Sequence, residues 1–379
     1  MLYILTSLSL IAIILVFKPR KDANAYFKQG KEKHLSGKYL EAIQDYNKAI
    51  HLKPNYTEAY FERGNAKNNL GKYSEAIQDF DKTINLDPNC AEVYCCRGSA
   101  KGLLEQHTEA ILDYDKAISL DPYIAAAYLY RGATKYELEQ YAEAILDFDK
   151  AINLDPNRAE TYYYKGLAKV DLEQYTEAIL DFDKAISLNP NFAAYFNRGN
   201  AKGHLGLHSE AILDFNKAIS LDPNEAKTYF NRGIIKCRLE QYAEAILDFD
   251  KAISLDPNDA DAYYDRGTAK CHLGLHSEAI LDFNKSISLD PNEAKTYFNR
   301  GNAKCDLGQY AEAILDFDKA ISLDPNDAEV YYNRGNAKYD LGQYAEAILD
   351  CDKAISLNPN PTDALELREQ ILQKMNNNE

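Results

Sequence analysis

The sequence predicts an all-α chain, a solenoid of ten helix-turn-helix repeats followed by a C-terminal capping helix. Three observations predict it. A glycine returns every 34 residues from Gly30 to Gly335, with a single 33-residue step between Gly166 and Gly199. The same train of side chains follows each one: alanine twelve residues on, an aromatic four beyond it except at Cys351, a small residue three beyond that, and proline five further. Within each period, apolar residues recur at helical spacing on two separate segments. Segments this short cannot bury an apolar stripe alone, so each repeat must lean on its neighbours.

The first element is MLYILTSLSLIAIILVF, residues 1–17, followed at once by Lys18, Pro19, Arg20 and Lys21. An uncharged run meeting a basic stop predicts a single-pass N-terminal membrane anchor, and residues 18–22 form its basic flank. The positive-inside rule then places the repeat domain in the cytoplasm. The alternative is a cleaved signal sequence and an exported or secreted chain, although the only A-x-A triplet near the N-terminus, Ala23-Asn24-Ala25, lies beyond the basic residues.

Residues 23–361 hold the repeats. With the recurring glycine at position 8, the ninth repeat runs from Ala294 as AKTYFNRGNAKCDLGQYAEAILDFDKAISLDPND. Its first helix carries Tyr297, Gly301 and Ala303 at positions 4, 8 and 10, and its second carries Tyr310, Ala313, Ile314, Phe317, Ala320, Ile321 and Leu323. Gly308 lets the chain turn between them, and Asp324-Pro325-Asn326 stops the second helix because proline disfavours α backbone at the residue before it. Glu105, Glu139, Glu173 and Glu240 replace the turn glycine in four repeats, so a left-handed backbone is not expected to be required there. The 33-residue step removes one residue between Pro190 and Tyr195, which should shorten the loop or the start of the next helix. Residues 362–379 contain TDALELREQILQKM, apolar on one side and charged on the other, and read as the capping helix and tail.

These columns resemble the tetratricopeptide repeat family. Glycine at position 8, alanine at 20 and proline at 32 occur in all ten repeats, and the resemblance covers residues 23–361. The chain departs from the family in having tyrosine at position 4, arginine at position 7 in most repeats and lysine at position 11. The resemblance implies a right-handed superhelix whose first helices line a concave groove. In some family members two lysines, two asparagines and an arginine from three successive repeats clamp a chaperone's C-terminal carboxylate. Here Asn197 and Lys227 match that clamp, but Tyr163, Leu167 and Asn231 stand where its other members belong, so the clamp is incomplete.

Composition narrows the function. A formal net charge of −16 leaves no surplus to neutralise phosphates and argues against a nucleic-acid partner. Phosphate loops, nucleophile elbows and H-E-x-x-H motifs are missing, which predicts that the chain is not an enzyme and needs no cofactor. HLGLH occurs at 204–208 and again at 272–276, yet the turn glycines Gly206 and Gly274 fall between the histidines, so shared metal ligation is not expected. Cys237, Cys271 and Cys305 occupy position 12 of adjacent repeats, at a spacing too wide for disulfides.

Position 19 is glutamate, position 23 aspartate and position 26 lysine in every repeat. That pattern predicts acidic outer faces on the second helices, with exposed salt bridges to the arginine column at position 7 and the lysine column at position 11. By the resemblance, positions 2, 5, 9, 12 and 13 face the groove. Tyr163, Phe196, Phe230, Tyr264, Phe298 and Tyr332 stand at position 5, Asn200, Asn302 and Asn336 at position 9, and Lys227 and Lys295 at position 2. Together they predict an aromatic and amide groove for a protein or peptide ligand. The competing reading is that the rings are core against the next repeat. The function expected is a membrane-tethered interaction scaffold, with an exported adaptor bearing the same groove as the alternative and the oligomeric state left open.

Overall fold

A computed structural model describes residues 22–376. The chain divides into two compact units at Asn189/Pro190, at the one junction that lacks a residue. Unit 1 holds five helical hairpins, with first helices α1 (Ala23–Leu35), α3 (Thr57–Asn68), α5 (Ala91–Gly102), α7 (Ala125–Glu137) and α9 (Ala159–Asp171). Their second helices are α2 (Tyr39–Leu52), α4 (Tyr73–Leu86), α6 (His107–Leu120), α8 (Tyr141–Leu154) and α10 (Tyr175–Leu188). In unit 2 the first helices are α11 (Phe192–His204), α13 (Ala226–Arg238), α15 (Ala260–His272), α17 (Ala294–Asp306) and α19 (Ala328–Asp340). Their partners are α12 (His208–Leu221), α14 (Tyr242–Leu255), α16 (His276–Leu289), α18 (Tyr310–Leu323) and α20 (Tyr344–Leu357), and α21 (Thr362–Asn376) closes the unit. The missing residue is taken from the loop: α11 keeps its full length, and only residues 189–191 separate it from α10.

No described helix is long and apolar enough to cross a membrane. The longest has 15 residues, against about 20 needed to span the hydrocarbon core. The expected anchor at residues 1–17 lies outside the described residues, so the single-pass anchor and the cytoplasmic placement built on it are withdrawn.

Inside nine of the ten hairpins the second-helix ring at position 24 packs on the glycine at position 8, and in the tenth Cys351 takes its place. A Cβ on Gly233 would meet Phe249 at 2.7 Å and one on Gly301 would meet Phe317 at 2.6 Å, which is why no side chain fits there. Phe249 and Phe317 are fully buried.

The glutamates at position 19 form an acidic exterior as expected, but the aspartates at position 23 do not join it. The aspartate at position 23 is buried in every repeat, turned inward to the first helix. Arg232 donates from Nε to Asp248 Oδ2 at 2.9 Å and from Nη2 to Oδ1 at 2.5 Å, a bidentate pair that Lys236 joins at 2.7 Å. The third guanidinium nitrogen reaches back one repeat: Arg266 Nη1 donates to Asp250 at 2.5 Å and Arg334 Nη1 to Asp318 at 2.5 Å. The pairs to position 23 are buried, and removing one partner there costs about 3–5 kcal/mol, whereas Asp250 and Asp318 are half exposed and form bridges of the kind the sequence suggested. The tyrosine at position 4 belongs to the same lattice. Arg232 lies 5.6 Å from the Tyr229 ring centroid, and Tyr229 OH donates to the Pro223 carbonyl of the preceding repeat at 3.2 Å. Tyrosine at position 4 and arginine at position 7 are therefore one paired departure from the family pattern.

The turn prediction fails at its exceptions. Gly206, Gly274 and Gly308 have φ of 74°, 73° and 71°, and Glu105, Glu139, Glu173 and Glu240 have φ of 60°, 58°, 58° and 58°. All ten hairpins therefore turn through the left-handed region. The backbone imposes it: Gln241 N donates to the Lys236 carbonyl at 2.9 Å across the turn, just as Gln309 N donates to Lys304 in a glycine-containing repeat.

The last helix, α21, continues the repeat register past the tenth hairpin. Arg368 falls at position 7 and donates from Nε to Asp352 at 2.6 Å, the bond that Arg334 makes to Asp318 one repeat earlier. Leu367 and Ile371 bury against Cys351 and Ala347.

Candidate functional site

In unit 2 the first helices lie side by side, joined by side-chain bonds. Asn231 Nδ2 donates to Asn200 Oδ1 at 2.8 Å, and Asn299 Nδ2 donates to the Tyr264 hydroxyl at 2.8 Å. The position 5 rings Phe196, Phe230, Tyr264 and Phe298 are half-buried, with centroids 6.1, 5.9, 6.1 and 6.1 Å from Phe215, Phe249, Phe283 and Phe317 of their own hairpins. Tyr332 packs on the cluster of Cys351 and Ile371. Each ring therefore has an inner edge on the core and an outer edge toward solvent. Tyr163 makes the same contact in unit 1, 6.1 Å from Phe182.

Beside the rings, Asn200 and Asn302 are half-buried, while Asn336, Lys227 and Lys295 are exposed. Lys295 is partly committed: its Nζ lies 4.8 Å from the Tyr264 centroid and 3.7 Å from Asp261. Asn197 bonds its own helix at the Ala193 carbonyl, 2.9 Å away.

Sequence reasoning missed position 6 as a column. In unit 2 it reads Asn197, Asn231, Asp265, Asn299 and Asn333, a run of carboxamides with one carboxylate at its centre. Asp265 takes part in no hydrogen bond or ion pair among the described residues, and burial pushes its carboxyl up to about 7. Asp261 and Asp259 add to that rise and Lys295 opposes it. The lone aspartate among four asparagines was the signal that could have found it.

The other candidates occupy ordinary structural places. His204 ends α11 and His208 begins α12, so the turn does separate them. His272 stacks on Tyr242 with ring centroids 4.4 Å apart. All seven cysteines are free, and burial raises the Cys237, Cys271 and Cys305 thiols to about 11. No group of three histidine, cysteine or carboxylate side chains among the described residues is placed to hold a metal ion.

Tetratricopeptide repeat models match residues 57–90, 159–192, 193–225, 226–259 and 328–361. Further models of that description match 91–124, 249–281 and 283–314, and a TPR repeat model matches 23–71, 134–172 and 301–342. Among solved structures, the C-terminal part of a TPR repeat-containing protein from Cytophaga hutchinsonii is 21% identical, covers 62% of this chain and 97% of its own, and superposes with a TM-score of 0.54. YrrB, a TPR protein with an unusual peptide-binding site, is 25% identical over 48% of this chain and 95% of its own, with a TM-score of 0.45. MamA is 27% identical over 45% and 94%, with a TM-score of 0.43. No curated protein matches the chain. The repeat matches take in most of residues 23–361, and the chain belongs to the tetratricopeptide repeat family.

Proposed function

We propose that this chain is an interaction scaffold whose unit 2 holds an extended peptide segment of a protein partner along its five first helices. The observation that carries the reading is the repeated pairing of a half-buried ring with a carboxamide. Phe196, Phe230, Tyr264, Phe298 and Tyr332 offer one aromatic edge per repeat, and Asn200, Asn302 and Asn336 lie one helical turn further on. The rings bury a ligand's apolar side chains, and the amides donate to and accept from its backbone. Lys227 and Lys295 add positive charge to an otherwise acidic chain and favour a ligand carrying a carboxylate.

The test is hydrogen exchange of the full chain with and without a peptide selected on it from a random display library. Slowed exchange in α11, α13, α15, α17 and α19 is expected. Bound peptide without protection in any of those five helices would contradict the reading.

A further inference from the structure

Unit 1 carries a recess that the repeat pattern does not require. It is an open pocket of about 250 Å³ between the first helices of repeats three, four and five. It exists because position 12 of repeat three is Gly102 and position 9 of repeat four is Ala133, which leaves room beside the hydroxyl end of the buried ring Tyr114 while Tyr130 packs on its face. A Cβ on Gly102 would have only Thr134 Oγ1 and the Tyr114 hydroxyl near it, each at 3.9 Å.

The floor is rich in acceptors. Tyr114 brings a hydroxyl where most repeats have phenylalanine, and burial raises its phenol so that it stays neutral. Thr134 Oγ1 gives its proton to the Tyr130 carbonyl at 2.8 Å, so toward the Tyr114 hydroxyl and the recess it can only accept. His107 also lines it, with Nδ1 buried and without a hydrogen bond, as is the same nitrogen of His208, so it adds to the floor without defining it. The walls include Tyr130 and Tyr164, and Glu137 and Glu160 stand at the edge. Arg158 shows what this surface attracts. Its Nη2 donates to the Tyr130 hydroxyl at 3.1 Å and to Glu160 at 3.2 Å, with the guanidinium 5.5 Å from the Tyr130 centroid. Glu137 is left without an ion pair among the described residues.

We infer that this recess binds the side chain of a lysine presented by a protein partner. A compact ammonium donates to the Tyr114 and Thr134 oxygens, its four-carbon stem lies against tyrosine faces, and Glu137 supplies the counter-charge. Every residue involved belongs to unit 1, so the inference stands apart from the reading of unit 2.

The test uses four pools of acetylated, amidated hexapeptides, randomised except for a central lysine, arginine, norleucine or glutamate, titrated against the full chain. The lysine pool is expected to bind at least about tenfold tighter than the norleucine pool. Gly102→Leu fills the recess from a helical position with open space and should abolish that preference. Tyr114→Phe, which restores the residue most repeats use, should reduce it even if Gly102→Leu fails to fold. Equal binding of lysine and norleucine pools, an arginine pool as tight as the lysine pool, or a lysine preference unchanged in the variants would each overturn the inference.

Discussion

Repeats three and four of unit 1 and the five repeats of unit 2 build the same helix face from neighbouring positions. In repeats three and four, position 5 is Cys95 and Leu129, both buried, and a tyrosine stands at position 6 in repeat four and again in repeat five, which also keeps Tyr163 at position 5. Tyr130 reaches Tyr114 at 6.3 Å and Tyr164 stacks on Phe148 at 6.2 Å, so each lies over the core ring of the preceding repeat. In unit 2 the ring is at position 5, over the core ring of its own repeat, and position 6 is polar. One residue along a helix is a rotation of about 100°. That step turns a tyrosine-walled recess into a row of rings flanked by amides. The lattice underneath, of tyrosine at position 4, arginine at position 7 and aspartate at position 23, is kept.

Truncating the two kinds of position 5 should separate them most. Leu129 is fully buried, and Leu129→Ala should cost about 2–5 kcal/mol. Phe196→Ala, Phe230→Ala and Phe298→Ala remove rings with only an inner edge on the core, and each should cost about half of the 3–5 kcal/mol of a fully buried phenylalanine such as Phe249. Thermal melting of the full chain orders them, and a Phe230→Ala chain that melts with Phe249→Ala would make unit 2's rings plain core.

Asp265 separates the units by pH. Its carboxyl is raised to about 7 in the folded chain from an ordinary value of 3.8, so folding favours the protonated form. The stability it allows is full below 3.8 and is lost as pH rises through about 7. Asp265→Asn should therefore melt higher than the parent at pH 8, with the gain shrinking toward pH 4.5. A gain independent of pH would show that ionisation of this carboxyl does not limit stability.

Smaller effects should come from the turns. Replacing Glu240 with glycine relieves a non-glycine residue at φ 58° and should stabilise by about 1 kcal/mol. Gly274→Ala, at φ 73°, should destabilise by a similar amount, read from the same melts.

The repeats, their helices and their order were legible because glycine, alanine, aromatic and proline columns fix the periods directly. Less was legible where a residue's partner lies on another helix. Asp248 looks like a surface charge on its own helix, and Arg232 and Lys236, sixteen and twelve residues upstream, explain its burial. Glutamate at the turn argued against left-handed backbone, but the bond from Gln241 to Lys236 sets φ whatever the side chain. Arg368 read as one charge of a capping helix, and its role at position 7 needed the contact with Asp352. At the candidate site, the rings and amides of unit 2 could be named from sequence. That each ring divides its surface between core and solvent could not, because one-dimensional spacing does not say how far a half-turn of helix is covered by its neighbour.

Binding by unit 2 through outer ring edges and amides on a stable lattice is tested most directly by calorimetric titration of a display-selected peptide into two full chains. One is the parent, and the other carries Lys227→Ala, Asn302→Ala and Asn336→Ala. These three side chains make no ion pair or hydrogen bond among the described residues, so each change should alter stability by no more than about 0.5 kcal/mol. Peptide affinity should be at least about tenfold weaker in the variant, a loss of about 1.4 kcal/mol, with melting nearly unchanged. Equal affinity for both chains would contradict a ligand held by these side chains.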